Sequence, residues 1–436
     1  MKLYFAAPPL TRCIALFMLL PALSAGQAPP LITSIIVTGN RVTQEQIIRR
    51  EVNHPQPAPY DSLQARLDRN NLYNMGIFES VRVYPRATVP GQAELIIEVV
   101  ETIRTVPIPL IYYLDDVGWS YGGGVAFYNF RGLNQRLLLS ATVGGEKTYS
   151  LAFTDPWLLG NRISGRVRVA RLYRSHPVYQ YRIRAETFEV GIGKTSPQKT
   201  FGLQGTISLL RRHVTWRDTA GWPPPDNDFI DRRDEVFQAR LDVLWRTTDI
   251  WRDPTRGITL RLQLAPVVGL NAQSPDYLRL YVSGALFRRL TRGPRPFILA
   301  LGLVVSRYDH RVPFYLRQFL GRTWVRGYHI APVDNPPSVR GRLEGNNLLV
   351  AGLEVRRMIF PRRVIWQVET GLAAVLFMDA GWAYGPGEPL ARALPAVGFG
   401  LGARIFLPII ELLALDMGFN RLDMHPHYRL ALSHKF

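Results

Sequence analysis

The stretch Thr259-Leu260-Arg261-Leu262-Gln263-Leu264 alternates polar and apolar side chains. A period of two places one kind of side chain on each face of an extended strand. The same alternation recurs around Arg166 and Arg168 and again over residues 428–433. These stretches run for about 9 to 14 residues, which suits a tilted strand crossing a bilayer, and they are separated by Gly, Pro, Asn and Asp. Residues 117–436 are therefore predicted to be built from β-strands.

No convincing helical segment interrupts this region, and the repeated alternation is typical of a transmembrane β-barrel. Lipid supplies no hydrogen-bond partners, so strands that cross it must pair with one another in a closed sheet. About 15 strands are discernible, and the even strand number of bacterial barrels favours 16. We predict a mainly β protein with a 16-stranded antiparallel transmembrane barrel over residues 117–436. A soluble β-sandwich or propeller is the alternative.

The two ends of the chain favour export to a membrane. Residues 1–26 combine Lys2 and Arg12 with the short apolar run 14–23, a pattern typical of a signal peptide. A membrane anchor is the alternative, but this run is shorter than the roughly 18 residues of a spanning helix. The last strand carries alternating large side chains and a terminal aromatic residue, which resemble the assembly signal of outer-membrane barrels: Tyr428, Leu430, Leu432 and Phe436.

Composition excludes several classes of protein. The chain has 436 residues, 47% of them hydrophobic, and 53 basic against 34 acidic residues give a net charge of +19. The single cysteine, Cys13, excludes a disulfide scaffold and a cysteine-ligated zinc site. A basic chain can bind nucleic acid, but the arginines here are scattered along alternating strands. They favour a cationic lining of a barrel, and we expect no nucleic-acid partner.

Residues 31–102 have a different pattern and predict a small α+β domain of order β-α-α-β-β. A β-rich run from Leu31 to Val37 precedes a helix for which Thr43 is the predicted N-cap. A second helix follows Asp61, with Leu63, Leu67 and Leu72 on one face. Alternating strands complete the domain, and residues 103–116 are predicted to be a linker. A core of this size suits a binding module rather than an enzyme.

This domain resembles a polypeptide-transport-associated (POTRA) domain. The resemblance rests on Ile36-Val37-Thr38-Gly39-Asn40, on the segment from Leu72 to Phe78 and on Ile97-Glu98-Val99-Val100-Glu101. Glycine in the Asn-x-Gly-x-Phe element ends a helix, and the phenylalanine returns to the core. The residues that carry the POTRA motif are Gly39, Asn40, Gly76 and Phe78.

The predicted barrel resembles the BamA/TamA family of outer-membrane assembly and secretion proteins. Its motifs are Asn129-Phe130-Arg131-Gly132-Leu133-Asn134, Phe153-Thr154-Asp155-Pro156-Trp157, Val325-Arg326-Gly327-Tyr328, Leu353-Glu354-Val355-Arg356 and Phe377-Met378-Asp379-Ala380-Gly381. The resemblance implies that a loop around 313–345 folds back into the barrel. It also implies that Arg326 in this loop contacts Glu354 and Asp379 of the barrel wall, in strands that include Phe377 and Gly381.

No catalytic or cofactor-binding residue is predicted. Gly193-Lys194-Thr195 lacks the glycine that a phosphate-binding loop needs at position 188, where Phe188 stands. His425 and His427 suit an interfacial hairpin better than a metal site. We expect no cofactor, no metal and no enzymatic activity.

The resemblance implies a protein of the bacterial outer membrane with its POTRA domain in the periplasm. There the POTRA domain receives unfolded outer-membrane or secreted polypeptides by strand addition, and the seam between the first and last strands (about 117–130 and 427–436) assists insertion or translocation. Partners would include lipid and periplasmic chaperones or accessory assembly proteins. A dedicated exporter of two-partner type and a passive pore or surface antigen are the alternatives, and the single POTRA unit departs from the several units of assembly hubs.

Overall fold

The computed structural model of the protein describes residues 28–114, 118–160, 162–175, 181–216, 231–251, 253–321, 324–328, 343–365, 368–406, 412–421 and 424–431. The predicted signal peptide lies outside these residues, as do Leu432 and Phe436. Among the described residues, no helix has the length and apolar character required to cross a membrane.

The N-terminal domain is a four-stranded sheet with two helices. Its elements are β1 (Leu31–Thr38), α1 (Glu45–Arg49), β2 (Ala58–Pro59), α2 (Ser62–Tyr73), β3 (Phe78–Val89) and β4 (Gln92–Glu101). The strand order is β2-β1-β4-β3, in which β1 and β4 are parallel and the other pairs antiparallel. This is the predicted β-α-α-β-β order with one additional two-residue strand.

Both helices of this domain differ from the prediction, α2 in which side chains are buried and α1 in which residue caps its start. Leu72 is buried with Ile47, Ile77 and Phe78, but Leu63 and Leu67 are exposed. Helix α1 begins at Glu45 after Gln44, so Thr43 is not its N-cap. In α2, Asp61 is the N-cap and accepts a hydrogen bond from the backbone N–H of Leu63, as the helix-start pattern predicts.

Most of the described residues after this domain form one 16-stranded antiparallel sheet, which confirms the predicted strand number. Its strands are β5 (Thr105–Leu114), β6 (Gly118–Phe130), β7 (Gln135–Gly144), β8 (Lys147–Asp155), β9 (Ile163–Ser175), β10 (Tyr181–Thr195), β11 (Phe201–Trp216), β12 (Asp231–Arg246), β13 (Gly257–Gly269), β14 (Tyr277–Arg289), β15 (Phe297–Tyr308), β18 (Asn347–Ile365), β19 (Val368–Tyr384), β20 (Ala396–Phe406), β21 (Leu413–Asn420) and β22 (His427–Ala431). Each strand pairs with the next of this series, and β5 and β22 are the two ends of the described sheet.

The prediction of a linker over residues 103–116 is wrong, because Thr105–Leu114 is the first strand of the sheet. The predicted first strand, 117–130, corresponds to β6, the second. Pro107 and Pro109 obscured β5 in the sequence. Strand residues two apart point the same way, so both missing N–H groups lie on one side of β5. Since β5 is the terminal strand, that side need not pair.

The segment between β15 and β18 lies along one face of the sheet. It includes a one-turn 3₁₀ helix (Phe314–Leu316) and a pair of two-residue strands, β16 (Gln318–Phe319) and β17 (Glu344–Gly345). The sheet face toward this segment carries the buried polar side chains, whereas the opposite face carries exposed apolar ones such as Phe188, Leu262 and Leu401. A further one-turn 3₁₀ helix (Leu390–Arg392) joins β19 and β20.

The N-terminal domain contacts the sheet at the turns that close one end of it. The Asn129 side-chain amide donates to the Thr43 hydroxyl at 2.8 Å, and the backbone N–H of Gln44 donates to the Gly132 carbonyl at 3.1 Å. Gly132 has a φ of +74°, and a Cβ there would collide with the backbone of Val42. Backbone of the two domains is thus in close contact.

Candidate functional site

The interior segment (residues 313–321, 324–328 and 343–345) is packed against strands on distant parts of the sheet. Phe314 and Tyr315 are buried against Tyr181 of β10 and Val214 of β11. The Tyr315 hydroxyl donates to the buried Asp234 carboxylate at 2.6 Å. Further along the chain, the same segment reaches β18 to β21. The sheet therefore curves around the segment, as the predicted inward-folded loop implies.

Arg326 is the centre of this contact. It is 1% exposed, and its guanidinium donates to both oxygens of Asp379, from Nε at 2.7 Å and from Nη2 at 2.9 Å. Nη1 donates to Glu354 at 2.5 Å, and the backbone N–H donates to Asp379 at 3.1 Å. The structure thus brings Arg326 together with both predicted wall partners, in the bidentate geometry that fixes orientation as well as charge.

Three more arginines extend this pair into a buried ionic cluster. Arg356 donates to the second oxygen of Glu354 at 2.7 Å, and Arg404 bridges Glu354 at 3.3 Å and Asp416 at 2.6 Å. Arg429 of β22 donates to Asp416 at 3.0 Å. The cluster therefore joins the loop to every strand from β18 to β22: Arg326, Arg356, Arg404, Arg429, Glu354, Asp379 and Asp416. We call these seven residues the arginine cluster.

An aromatic ring and close backbone packing complete the site. The Arg326 guanidinium lies 3.7 Å from the ring centroid of Phe377, a residue paired in register with Glu354. Gly327 has a φ of +98°, and a Cβ there would lie 2.5 Å from the carbonyl oxygen of Phe419. The side-chain amide of Asn420 donates to the Gly327 carbonyl at 2.7 Å. Only glycine meets both requirements at the loop tip.

The other predicted loop and wall residues pack around this tip. Val325 is fully buried, and a Cβ on Gly381 would lie 2.6 Å from one of its methyl groups. The Tyr328 hydroxyl accepts a hydrogen bond from the backbone N–H of Val397 at 3.1 Å. These contacts fix the tip against β19 and β20.

Sequence reasoning named Arg356 only as part of a motif, without a role, and missed Arg404, Asp416 and Arg429. Each falls on the inward positions of its strand, because Arg356 lies two residues from Glu354 and Asp416 pairs with Arg429 in register. Strand alternation around Glu354 and Asp379 could have identified inward charges. It could not have shown which of the many inward arginines converge, because that depends on the register between paired strands and on the position of the loop.

The POTRA-motif residues serve the N-terminal fold. Gly39 has a φ of +86° and lies against the backbone of Val99, and the Asn40 amide donates to the Thr43 carbonyl at 3.0 Å. Gly76, with a φ of +75°, follows helix α2 and leads to the buried Phe78. At the C-terminus, Tyr428 and Leu430 point outward and are 69% and 67% exposed, as outward-facing residues of a lipid-embedded strand would be.

Together, the 16-stranded sheet, the interior loop held by buried arginines and the small α+β domain define a β-barrel protein with a POTRA domain. The model of the Omp85 superfamily domain matches residues 129–427. The POTRA model, described as a surface antigen variable number repeat, matches residues 30–102. The chain therefore belongs to the Omp85 superfamily, a family of outer-membrane β-barrel proteins.

Two curated relatives are similar in sequence. Outer envelope protein 80 of the Arabidopsis thaliana chloroplast is 24% identical over 429 residues, covering 88% of this chain and 53% of that protein. The outer membrane protein assembly factor BamA of Neisseria meningitidis serogroup B is 26% identical over 250 residues, covering 52% of this chain and 30% of that protein. The chain thus matches about half or less of the length of these relatives.

Two solved structures share the fold. BamA from Haemophilus ducreyi lacking POTRA domains 1–3 superposes with a TM-score of 0.54 at 15% identity, covering 92% of this chain and 83% of that one. CdiB from Acinetobacter baumannii has a TM-score of 0.54 at 12% identity, covering 93% and 73%.

Proposed function

We propose that the protein assists the assembly of polypeptides at the bacterial outer membrane, by inserting barrel proteins or translocating secreted ones, without enzymatic chemistry. The POTRA domain lies in the periplasm and receives the unfolded client, and the barrel assists its entry into the membrane. Family membership supports this proposal, as does the printed name of one relative, an outer membrane protein assembly factor.

The observation that carries the proposal is the open edge of the POTRA sheet. Strand β3 is twelve residues long and pairs only with β4 among the described strands. The opposite edge is obstructed, because side chains of Arg49 and Gln56 donate to the carbonyls of Ile35 and Thr33, at 2.8 and 2.7 Å. An extended client can therefore add as a strand along β3 with main-chain hydrogen bonds.

Site-specific photo-cross-linking tests this edge in the full chain. A photoreactive residue is placed at Tyr84 or Val89 on β3, or at Leu63 or Leu67 on α2 as controls of similar exposure. The protein is then mixed with a urea-unfolded barrel protein. Cross-links confined to the β3 positions support strand addition, whereas equal yields on α2 contradict it.

A reconstitution assay tests the activity itself. Liposomes that contain the protein should fold a barrel client faster than protein-free liposomes, and should conduct ions poorly. If the barrel client folds faster and an added secreted polypeptide does not change that rate, the protein acts as an insertase for barrel proteins. Transport of a secreted polypeptide into the vesicle without faster barrel folding indicates an exporter.

A passive pore is the second candidate, favoured by one cavity. A polar cavity of about 360 Å³ on the interior side of the sheet is lined by residues that include Arg166, Arg168, Arg240 and Arg261. Glu189 and Asp242 are the carboxylates in this lining, so the cavity is net cationic and suits anions. Large, anion-selective conductance together with unchanged client folding would support the pore.

A further inference from the structure

A large groove lies on the face of the sheet that points away from the interior segment. Its volume is about 1190 Å³, and it crosses consecutive strands from β6 to β12. Val236, fully buried with Val312 of the segment after β15, marks the inner face. Its neighbour Glu235 lines the groove from the other face, because successive strand residues point to opposite sides.

One wall of the groove is an apolar row across five strands. Register pairing joins its members in the order Leu139, Leu151, Val169, Phe188 and Leu209. Leu139 is partly buried, and the other four are between 41% and 50% exposed. These side chains belong to the apolar outer face, where a membrane barrel meets acyl chains.

The other wall is a charged row two residues further from the POTRA domain. Arg171 pairs in register with Glu186, Glu186 with Arg211, and Arg211 with Glu235. The ion pairs are long, 3.5 Å for Arg171–Glu186 and 3.2 Å for Arg211–Glu235, and both guanidiniums are about half exposed or more. Exposed pairs of this kind contribute little to stability, so the guanidiniums are available to a stronger anion.

Three more cations lie in the next row outward on the same face. Lys147, Arg184 and Arg233 occupy this row, joined through Tyr173 and His213 by strand register. Arg184 also donates to Glu186 at 2.8 Å. One row further, Arg182 and Asp231 carry opposite charges, and the Asp231 carboxylate contacts the His213 ring. The two rows above the apolar wall therefore hold five cations against two carboxylates.

We infer that this groove binds a phosphorylated lipid with several acyl chains, in the leaflet away from the POTRA domain. The acyl chains lie along the row from Leu139 to Leu209, and phosphate oxygens accept hydrogen bonds from Arg171, Arg211 and Arg233. Planar guanidiniums match phosphate oxygens in a bidentate manner, and the change from apolar to cationic side chains marks the depth of the headgroups. The inference rests on the membrane placement in the proposed function, but not on any client.

The test measures lipid binding by the full chain without a polypeptide client. The protein is reconstituted into phosphatidylcholine nanodiscs containing bisphosphorylated lipid A or its dephosphorylated form, and retained lipid is quantified by native mass spectrometry. The wild-type protein should retain the phosphorylated form at least about tenfold more strongly, the effect of one charge-assisted hydrogen bond. Equal retention of the two forms would overturn the inference whatever the variants do.

Matched variants locate the site. Arg171→Gln, Arg211→Gln and Arg233→Gln together should abolish the preference for the phosphorylated form. The control is Arg166→Gln, Arg168→Gln and Arg240→Gln, which removes the same charge from the inner face of neighbouring strands. Arg168 matches Arg171 closely, with a carboxylate of Glu189 also at 3.5 Å. Equal loss in both triple variants would contradict a site in the groove. The lipid-binding test uses no client, and the client-folding assay is a separate measurement. Failure of the lipid inference can therefore be told apart from failure of the proposed function.

Discussion

Lys199, in the turn between β10 and β11, places its ammonium nitrogen 2.8 Å from a carboxylate oxygen of Glu51 in the POTRA domain. Arg162 approaches the same carboxylate at 3.9 Å, and all three side chains are largely buried. Burial lowers the pKa of Lys199, and the charge of Glu51 opposes that shift. A buried ion pair thus ties the POTRA domain to the turns of the barrel, which fixes the direction of the β3 edge.

Removing the charge of Glu51 should loosen this contact between the domains. Glu51→Gln leaves Lys199 and Arg162 buried without a carboxylate, a loss expected to cost several kcal/mol. Hydrogen exchange in the full chain should then increase at residues 42–54 relative to wild type. The control is Glu45→Gln, which removes an exposed ion pair with Arg49 on the same domain and should have little effect. Similar exchange in both variants would show that Glu51 does not hold the domain in place.

Replacing the arginine at the loop tip should destabilise the barrel although the charge is kept. Arg326→Lys cannot donate to both oxygens of Asp379 and to Glu354 in the same planar geometry. We expect a loss of about 3 kcal/mol or more for a buried pair that is broken, seen as a lower midpoint in heat-induced loss of the folded gel band. Arg326→Ala should lose more stability and impair client assembly, but it should not prevent export of the protein itself.

The double variant Arg326→Ala with Asp379→Ala shows whether the pair itself matters. The double variant should lose less stability than the two single variants lose together, because each single change leaves an unpaired buried charge and the double change leaves neither. Strictly additive losses would indicate that the two residues act independently.

A methyl group added at Gly398 should displace the loop. A Cβ at this position would overlap the carbonyl oxygen of Arg326, whereas a Cβ at Gly205 on β11 meets no atom within 4 Å. Gly398→Ala should therefore destabilise the barrel by about 1–3 kcal/mol, the usual cost of overpacking, and Gly205→Ala should be close to neutral. Thermal midpoints of the two variants in the same detergent compare them directly. An equal midpoint for both would mean that the loop tip tolerates displacement.

The barrel strands could be predicted because alternation is a local property of the sequence. Thr259 to Leu264 lie within β13, with Leu260 and Leu262 on the exposed face and Gln263 bonded to Asp242 on the other. The loop contact to Asp379 came from family resemblance, since no spacing rule connects residues 53 positions apart. Arg404 and Asp416 are diagonal neighbours on the paired strands β20 and β21, and alternation within one strand does not record the register between two strands.

Helix α2 shows why the buried face of a helix could not be predicted from leucine spacing alone. Its leucine spacing predicted a buried face containing Leu63 and Leu67, but Asp68 is buried in their place. The Asp68 carboxylate accepts hydrogen bonds from the backbone N–H groups of Asn53 and His54, at 2.9 and 3.0 Å. Satisfying those buried donors rotates the helix in a way that hydrophobic periodicity does not record.

Acid should weaken the hydrogen bonds that hold the residues before α1 to the carboxylate of Glu101. This carboxylate accepts hydrogen bonds from the backbone N–H groups of Thr43 at 2.7 Å and Val42 at 3.1 Å. Burial raises the pKa of Glu101, but hydrogen bonds from Thr43 and Val42 outweigh it, so the pKa is lowered overall. A lowered pKa in the folded state means that ionised Glu101 stabilises the fold above its ordinary pKa. That contribution is lost as the pH falls through the lowered value.

Amide protection at Val42 and Thr43, corrected for intrinsic exchange, should therefore be constant near neutral pH and decrease in acid below the ordinary pKa of glutamate. Glu101→Gln, which cannot ionise, should have weaker protection at neutral pH and no such decrease. An identical acid profile in wild type and Glu101→Gln would assign the effect to another carboxylate. Because Thr43 also accepts from Asn129 of the barrel, loss of the Glu101 bonds in wild type should extend to the contact between the two domains.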